Sequence, residues 1–379
     1  MPWGNKTVEK LREEFLNLID QYGNISKACR EYGITRRTGY KWLKRETNGE
    51  SLSNRSRKPK CIANKTDEVI EKLILFVREA NPAWGGRMIH DYLVKRGETE
   101  LPSARTCCNI LKRNGYISPE ESLKHQAFIR FEREDCNELW QTDFKGDFLL
   151  LDGNRCYPLT ILDDRSRFAI KIDCKENTKG VKDSFEMAFF SYGKPETVLS
   201  DNGWEFKGLH GGYTQFERWL MEHDVLPIHG RPYHPQTQGK IERFHRTMKY
   251  EFLKYKSFSN LGELKKEMEK WRRKYNEERP HSMLDSKSPA DIYTPSERTY
   301  SEKISKYDYD GYTRKVNNKG YLRFAHWQIY LSETMADTKL EIAENISGDS
   351  FNIYFRNFKI AEIGAHDGKL INRKISRRT

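Results

Sequence analysis

The sequence predicts a multidomain chain: two N-terminal all-α helix-turn-helix units, an α/β core with a mixed sheet, and a small all-β unit at the end. Three observations carry it. Apolar residues recur at helical spacing through the first third. From residue 138, short strand-like runs appear and then alternate with helical patterns. After residue 300, short alternating runs are separated by turn signals such as Asn317-Asn318-Lys319-Gly320 and Ser347-Gly348-Asp349. A length of 379 residues suits two or three domains.

Composition narrows the class. With 36% hydrophobic and 12% aromatic residues the chain has the material for cores, which excludes a disordered protein. The longest apolar runs, such as Phe148-Leu149-Leu150-Leu151, fall far short of the roughly 20 residues that cross a bilayer. Met1-Pro2-Trp3-Gly4-Asn5-Lys6 is not an apolar leader, so a soluble, cytoplasmic protein with no membrane partner is expected. Seven cysteines, none in a C-x-x-C pair, read as reduced thiols, and no zinc site is expected. The net charge is +12, and residues 1–120 hold 23 Lys/Arg against 15 Asp/Glu. That excess suggests a polyanionic partner.

The first helix follows from Val8, Leu11, Phe15, Leu18 and Ile19. Asn24 caps a short helix that Gly33 ends, and Thr35 caps the next, through Tyr40, Trp42 and Leu43. Two short helices around a Gly turn describe a helix-turn-helix, whose second helix places early residues in the major groove. Here that helix carries Arg36, Arg37 and Lys41, followed by Lys44 and Arg45. The bland alternative is a helical hairpin with a solvated basic face. The polar stretch that follows holds Arg55, Arg57 and Lys58, suited to a phosphate backbone and equally to a solvated charge run. A second helical unit starts at Thr66. Its third helix, capped by Ser103, turns Thr106, Ile110 and Leu111 inward and Arg105, Lys112 and Arg113 outward.

Three carboxylates stand out in the core. Asp143 lies in the strand-like run after Trp140, and Asp201 ends a buried strand. Glu242 sits on a helix whose core face is Ile241, Phe244, Met248 and Phe252; it heads the next stripe, with His245, Arg246 and Lys249. Mg²⁺ prefers oxygen ligands and keeps positions open for water and phosphate. Two such ions activate an attacking oxygen and stabilise a leaving one in phosphodiester chemistry. Taken singly, each acid reads more simply as a cap or a surface ion pair. Asp147, Asp152, Asp163 and Asp164 read as turn or surface residues, and His234 as either a phosphate-orienting or a structural group. Lys240, Arg243, Arg246 and Lys249 are the candidate phosphate contacts beside the site.

The motifs Leu139-Trp140-Gln141-Thr142-Asp143, Ser200-Asp201-Asn202-Gly203 with Glu205-Phe206, and Tyr233-His234-Pro235-Gln236-Thr237-Gln238-Gly239-Lys240-Ile241-Glu242-Arg243 go further. With them the chain resembles bacterial insertion-sequence transposases of the DDE recombinase superfamily, whose catalytic core is similar to retroviral integrase. The resemblance implies an RNase H-like core with a mixed five-stranded sheet, and a small β-barrel after it. It makes Asp143, Asp201 and Glu242 the ligands of two Mg²⁺ or Mn²⁺ ions. It also implies binding to terminal inverted repeats and target DNA, metal-dependent strand cleavage and transfer, and a dimer or tetramer on DNA. A nucleoid-associated location follows.

The expected organisation is a helix-turn-helix over 1–46, a basic linker over 47–65, a second helix-turn-helix or winged-helix domain over 66–117, and a linker over 118–137. The core covers 138–295, the β-barrel 300–365 and a flexible basic tail 366–379. Two features depart from the family pattern. Asp201 and Glu242 are 41 positions apart, a few more than usual, with the extra length placed at Lys207-Gly208-Leu209-His210-Gly211-Gly212. Trp204 stands beside the second Asp, either to stack on a base or to pack under the loop. Two rival readings are a DNA-binding regulator with a decayed core, which the presence of all three acids disfavours, and a simple nuclease, which the tandem helical units disfavour.

Overall fold

The computed structural model describes residues 7–55, 66–117, 133–208, 212–230 and 239–378. Arg57, Lys58 and His234, most of the 118–137 linker, Leu209-His210-Gly211 and the Tyr233–Gln238 part of the third motif lie outside the described residues. The chain divides into two compact units, Met1–Lys65 and Thr66–Thr379.

The first unit is three helices, α1 (Val8–Tyr22), α2 (Ile25–Tyr32) and α3 (Arg36–Thr47). Asn24 caps α2 through the Ser26 and Lys27 N–H groups. Gly33, at φ 69°, makes the left-handed turn that ends it, and Thr35 caps α3. Phe15 is wholly buried, with the rings of Tyr32 and Trp42 each 5.5 Å away. Arg45, one of the basic residues of α3, is buried and donates to the Ser51 and Ser53 carbonyls, so it closes the unit and does not face out.

The second unit begins with α4 (Glu68–Ala80), α5 (Gly86–Lys95) and α6 (Ala104–Arg113), packed around Ile74, Val77, Trp84, Ile89, Leu93, Cys107, Ile110 and Leu111. Residues 66–117 contain no strand, so the winged alternative has no wing there.

The core sheet is mixed, as expected. β1 (Leu139–Phe144) pairs antiparallel with β3 (Arg155–Asp163), and β3 with β4 (Ala169–Lys175). On its other side β1 runs parallel to β5 (Thr197–Ser200), and β5 to β6 (Leu226–His229). A two-residue strand, β2 (Phe148–Leu149), adds a sixth member beside β3. Alternation along the strands feeds two cores. Leu159 and Ile161 join Trp140, Phe185, Phe189 and Trp219 under α7 (Val181–Tyr192) and α8 (Gln215–Glu222). Leu162 and Cys156 join Phe244, Met248, Trp271 and Tyr275 under α9 (Gly239–Glu251) and α10 (Leu261–Glu277). The helix that carries Glu242 ends at Glu251, and a second helix follows it. The chain turns through Ser257-Phe258-Ser259, Phe258 enters the core, and Asn260 caps the second helix.

The C-terminal sheet contains β7 (Thr313–Lys315), β10 (Lys339–Glu344), β11 (Ser350–Phe355), β12 (Phe358–Gly364), β13 (Leu370–Asn372) and β14 (Ser376–Arg377). The hairpin of β8 (Tyr321–Phe324) and β9 (Trp327–Tyr330) meets it through a Val316–Leu322 bridge. The sheet is antiparallel, with β13 and β7 as its outer strands, and the hairpin's Leu322 and Ile329 close over the same core as Ile342, Ile353 and Ile360. The expected flexible tail is corrected. Residues Ser376 and Arg377 pair with β12, and Arg378 binds both oxygens of buried Glu341, at 2.9 and 2.6 Å. A buried carboxylate needs such a partner.

Gly86 tests how closely α5 and α6 must approach. A Cβ there would lie 2.8 Å from Cys108 Cα, whereas one at Gly85 would meet nothing within 4 Å. Gly86→Ala should cost about 1–3 kcal/mol in urea denaturation. Gly85→Ala, at the helix N-cap with a negative φ that alanine adopts, loses only cap preference and should cost less, under about 1 kcal/mol.

Candidate active site

The register of β1 and β5 brings the first two acids together. Leu139, Trp140 and Gln141 pair with Thr197, Val198 and Leu199, a constant offset of 58 residues. The same offset carries Asp143 to Asp201. Neighbouring strands lie about 4.8 Å apart, so both acids emerge at one level from the carboxyl ends of two parallel strands. Ligand sites favour that end of an α/β sheet. Beyond β5 the chain turns at Gly203, whose N–H donates to Asp201 Oδ1 at 3.0 Å. A Cβ on Gly203 would sit 3.0 and 3.4 Å from the two Asp201 oxygens, so a side chain there would crowd the carboxylate.

Glu242 comes from the first turn of α9 and is exposed. The helix is fixed to β1 at its start. Ile241 N–H donates to Gln141 Oε1 at 3.3 Å, and Gln141 Nε2 donates to Asp164 Oδ1 at 2.7 Å. Lys240 Nζ binds the carbonyl of Asp164 at 3.1 Å and also its carboxylate. Asp163 and Asp164, read from sequence as turn or surface groups, are wholly buried. Asp163 accepts from Asn137 N, Ser166 N and Ser166 Oγ at 2.6–2.8 Å. These are structural aspartates that tie the β1–β3 end to α9.

Burial raises the Asp163 carboxyl as well, against its three donors; Asp143 differs in the neighbours it has. Burial pushes its carboxyl up to about 7, and the charges of Asp201 and Glu242 push the same way. The Phe144 N–H and Lys145 oppose the shift. Both other acids are therefore close enough to act on Asp143. Among the described residues, however, no three acidic, His or Cys side chains stand close enough together to form a ready metal-ion cage. Hard oxygen donors of like charge beside one another are suited to a divalent cation, which would relieve the repulsion.

His245, one turn beyond Glu242, completes the geometry. Thr160 Oγ1 donates to the Asp143 carbonyl at 2.9 Å and lies 2.7 Å from His245 Nε2. Its single proton being used, the hydroxyl accepts from Nε2–H. Burial holds the imidazole down to about 3, so it is neutral, with Nδ1 facing Asp143 Oδ2 at 3.7 Å. His245 was read only as part of a basic stripe; its link to Thr160 is a contact across 85 positions that no local pattern reveals.

The basic candidates divide. Arg36, Arg37, Lys41 and Arg105 are exposed on their helices. Arg55 is exposed but paired with Glu50. Arg243, Arg246 and Lys249 lie along the exposed side of α9, with Arg246 5.8 Å from the Tyr250 ring. Lys240 is committed to Asp164 with only 14% of its side chain exposed, so it anchors the helix. Trp204 is 59% exposed, so it is not packed beneath its loop.

Two family models described as integrase core domains match residues 134–235 and 223–289. A helix-turn-helix model matches 11–60, and a homeodomain-like model 38–111. A 31.7 kDa protein of insertion element IS407 from Burkholderia multivorans is 26% identical over 73% of this chain and 94% of its own length. A protein described as the transposase of insertion sequence element IS5376, from Geobacillus stearothermophilus, is 23% identical over 93% of this chain and 87% of its own length. Escherichia coli protein YlbG is 33% identical over 24% of this chain and 75% of its own length.

The raised Asp143 carboxyl has a consequence for stability. It binds a proton in the folded state between about 4 and about 7, where the unfolded chain has released it. Stability therefore falls as pH rises through that window. Asp143→Asn should melt several degrees higher than the parent at pH 8 in EDTA, and at the parental temperature near pH 4.5. Equal melting temperatures at pH 8 would contradict the electrostatic account.

Proposed function

Because the chain belongs to the bacterial insertion-sequence transposases with a retroviral-integrase-like core, we propose that it binds the terminal inverted repeats of a mobile element and catalyses metal-dependent DNA strand cleavage and strand transfer. The observation that carries this is the convergence of charge on Asp143: a half-buried carboxyl raised by its burial and, beyond that, by two acids from distant segments. Structural aspartates in this fold are instead wrapped in donors, as Asp163 is.

In this reading Asp143, Asp201 and Glu242 hold two Mg²⁺ or Mn²⁺ ions. When bound, such ions activate an attacking oxygen and stabilise the leaving oxygen of a phosphodiester. Asp143 and Asp201 present their carboxylates side by side from the rigid sheet, and Glu242 approaches from the helix docked on Gln141 and Asp164. His245 and Thr160 keep the Asp143 backbone in place. Arg243, Arg246 and Lys249 lie on the same helix as Glu242, where they can follow a phosphate backbone. Arg36, Arg37 and Lys41 are the proposed base and phosphate contacts of the first helix-turn-helix, and Arg105 those of the second. Arg57 and Lys58 are proposed to extend the phosphate contacts. Two element ends must be held at once, which calls for a dimer or tetramer on DNA.

The test is nicking of a duplex carrying the element's terminal repeat, with Mg²⁺ or Mn²⁺. Asp143→Asn, Asp201→Asn and Glu242→Gln should each lower cleavage at least 100-fold and leave repeat binding within about two-fold. Arg36→Ala with Arg37→Ala should do the reverse: weaker binding, with a shallower salt dependence. Full cleavage by all three acid variants would overturn the site.

A further inference from the structure

Behind Asp201 lies a polar network that the chemistry above does not use. β5 and β6 are parallel, with Ser200 opposite His229. His229 Nδ1 is 3.0 Å from Ser200 Oγ and 3.3 Å from the Asp201 carbonyl oxygen. On the other side of the ring, Nε2 is 2.9 Å from Glu217 Oε1. Glu217 is only 3% exposed. Its second oxygen, Oε2, accepts from Thr214 N at 2.7 Å and Thr214 Oγ1 at 3.0 Å, closing the capping box of α8.

Both oxygens of this carboxylate are thus engaged. The helix cap needs only one of them, and a capping Glu works equally well at a surface. Burying a charge is costly unless it is paired, so the pairing with His229 reflects a second task. The order Ser200–His229–Glu217 has the connectivity of a nucleophile triad. Ser200 is 3% exposed, however, and its hydroxyl does not reach the surface where a substrate would lie. What the network grips is backbone. Gly230 N–H donates to the Ser200 carbonyl and Asn202 Nδ2 to the Gly230 carbonyl, both at 2.9 Å. The 200–202 segment is thereby held to β6 from behind, while the Asp201 carboxylate turns forward to Gly203 N–H.

We propose that Glu217 and His229 form a positioning pair that holds Asp201 at the height where it shares a cation with Asp143. This rests on the metal-binding reading of the acidic site. Partners one shell removed from a metal ligand typically contribute 10–100-fold to metal affinity.

The test uses the full chain without DNA and Mn²⁺ alone as the probe, titrated by calorimetry, with folding checked by circular dichroism and Tm. His229→Ala and the isosteric Glu217→Gln should each raise the Mn²⁺ Kd about ten-fold. His229→Asn, which keeps a polar group toward Ser200, should recover part of that loss. Asp201→Asn is the reference and should lose a site outright. Parental Mn²⁺ affinity in folded Glu217→Gln and His229→Asn, with Asp201→Asn defective, overturns the positioning pair alone. A lowered Tm with unchanged Mn²⁺ affinity does the same, leaving the network a packing feature. Parental Mn²⁺ binding by Asp201→Asn overturns the acidic site itself, and the pair with it.

Discussion

The parallel pairing of β1 with β5 is the constraint on which the rest of this molecule depends. Its offset of 58 positions, extended past the last paired residues, places Asp143 near the end of β1 and Asp201 just beyond β5 on the same side of the sheet's edge. Burial first, and then the neighbouring Asp201 charge, push the Asp143 carboxyl up to about 7. A rigid frame is needed to keep two like charges there. The sheet supplies it: buried on both faces, it is clamped between α7 and α8 on one side and α9 and α10 on the other.

The same end of the sheet shows two ways of handling a buried acid. Asp163 is surrounded by three donors, and Asp164 accepts from Gln141, Lys240 and the Arg133 N–H. Such fully bonded groups specify how elements dock. Asp143 instead feels the charges of Asp201 and Glu242, with its backbone carbonyl held by Thr160 and its Oδ2 3.7 Å from His245 Nδ1. The contrast distinguishes the two settings where residue type alone does not.

Much of this was legible in the chain. The caps Asn24, Thr35 and Ser103, the turn at Gly33 and the apolar periods of α1 and α9 are local signals, and the elements formed where they pointed. The three acids were legible through their motifs. What the local pattern obscured were the partners of charged residues. Lys240 and Arg45 look like solvent-facing cations from helical spacing, yet both are spent on carbonyls or a carboxylate brought close by the fold. The basic tail looks free, yet Arg378 neutralises Glu341.

The sequence by itself determined the order of the units, most helices and strands, and which carboxylates are the candidates for chemistry, because those follow from side-chain period, capping and motif within a few dozen residues. Only the tertiary structure decided the strand register that sets Asp143 beside Asp201, the burial of Asp163 and Asp164, and the grip of Glu217 and His229 on the second acid. Those depend on contacts between residues distant in the chain. A charge's role is set by which groups fold against it, and one-dimensional order holds no record of that.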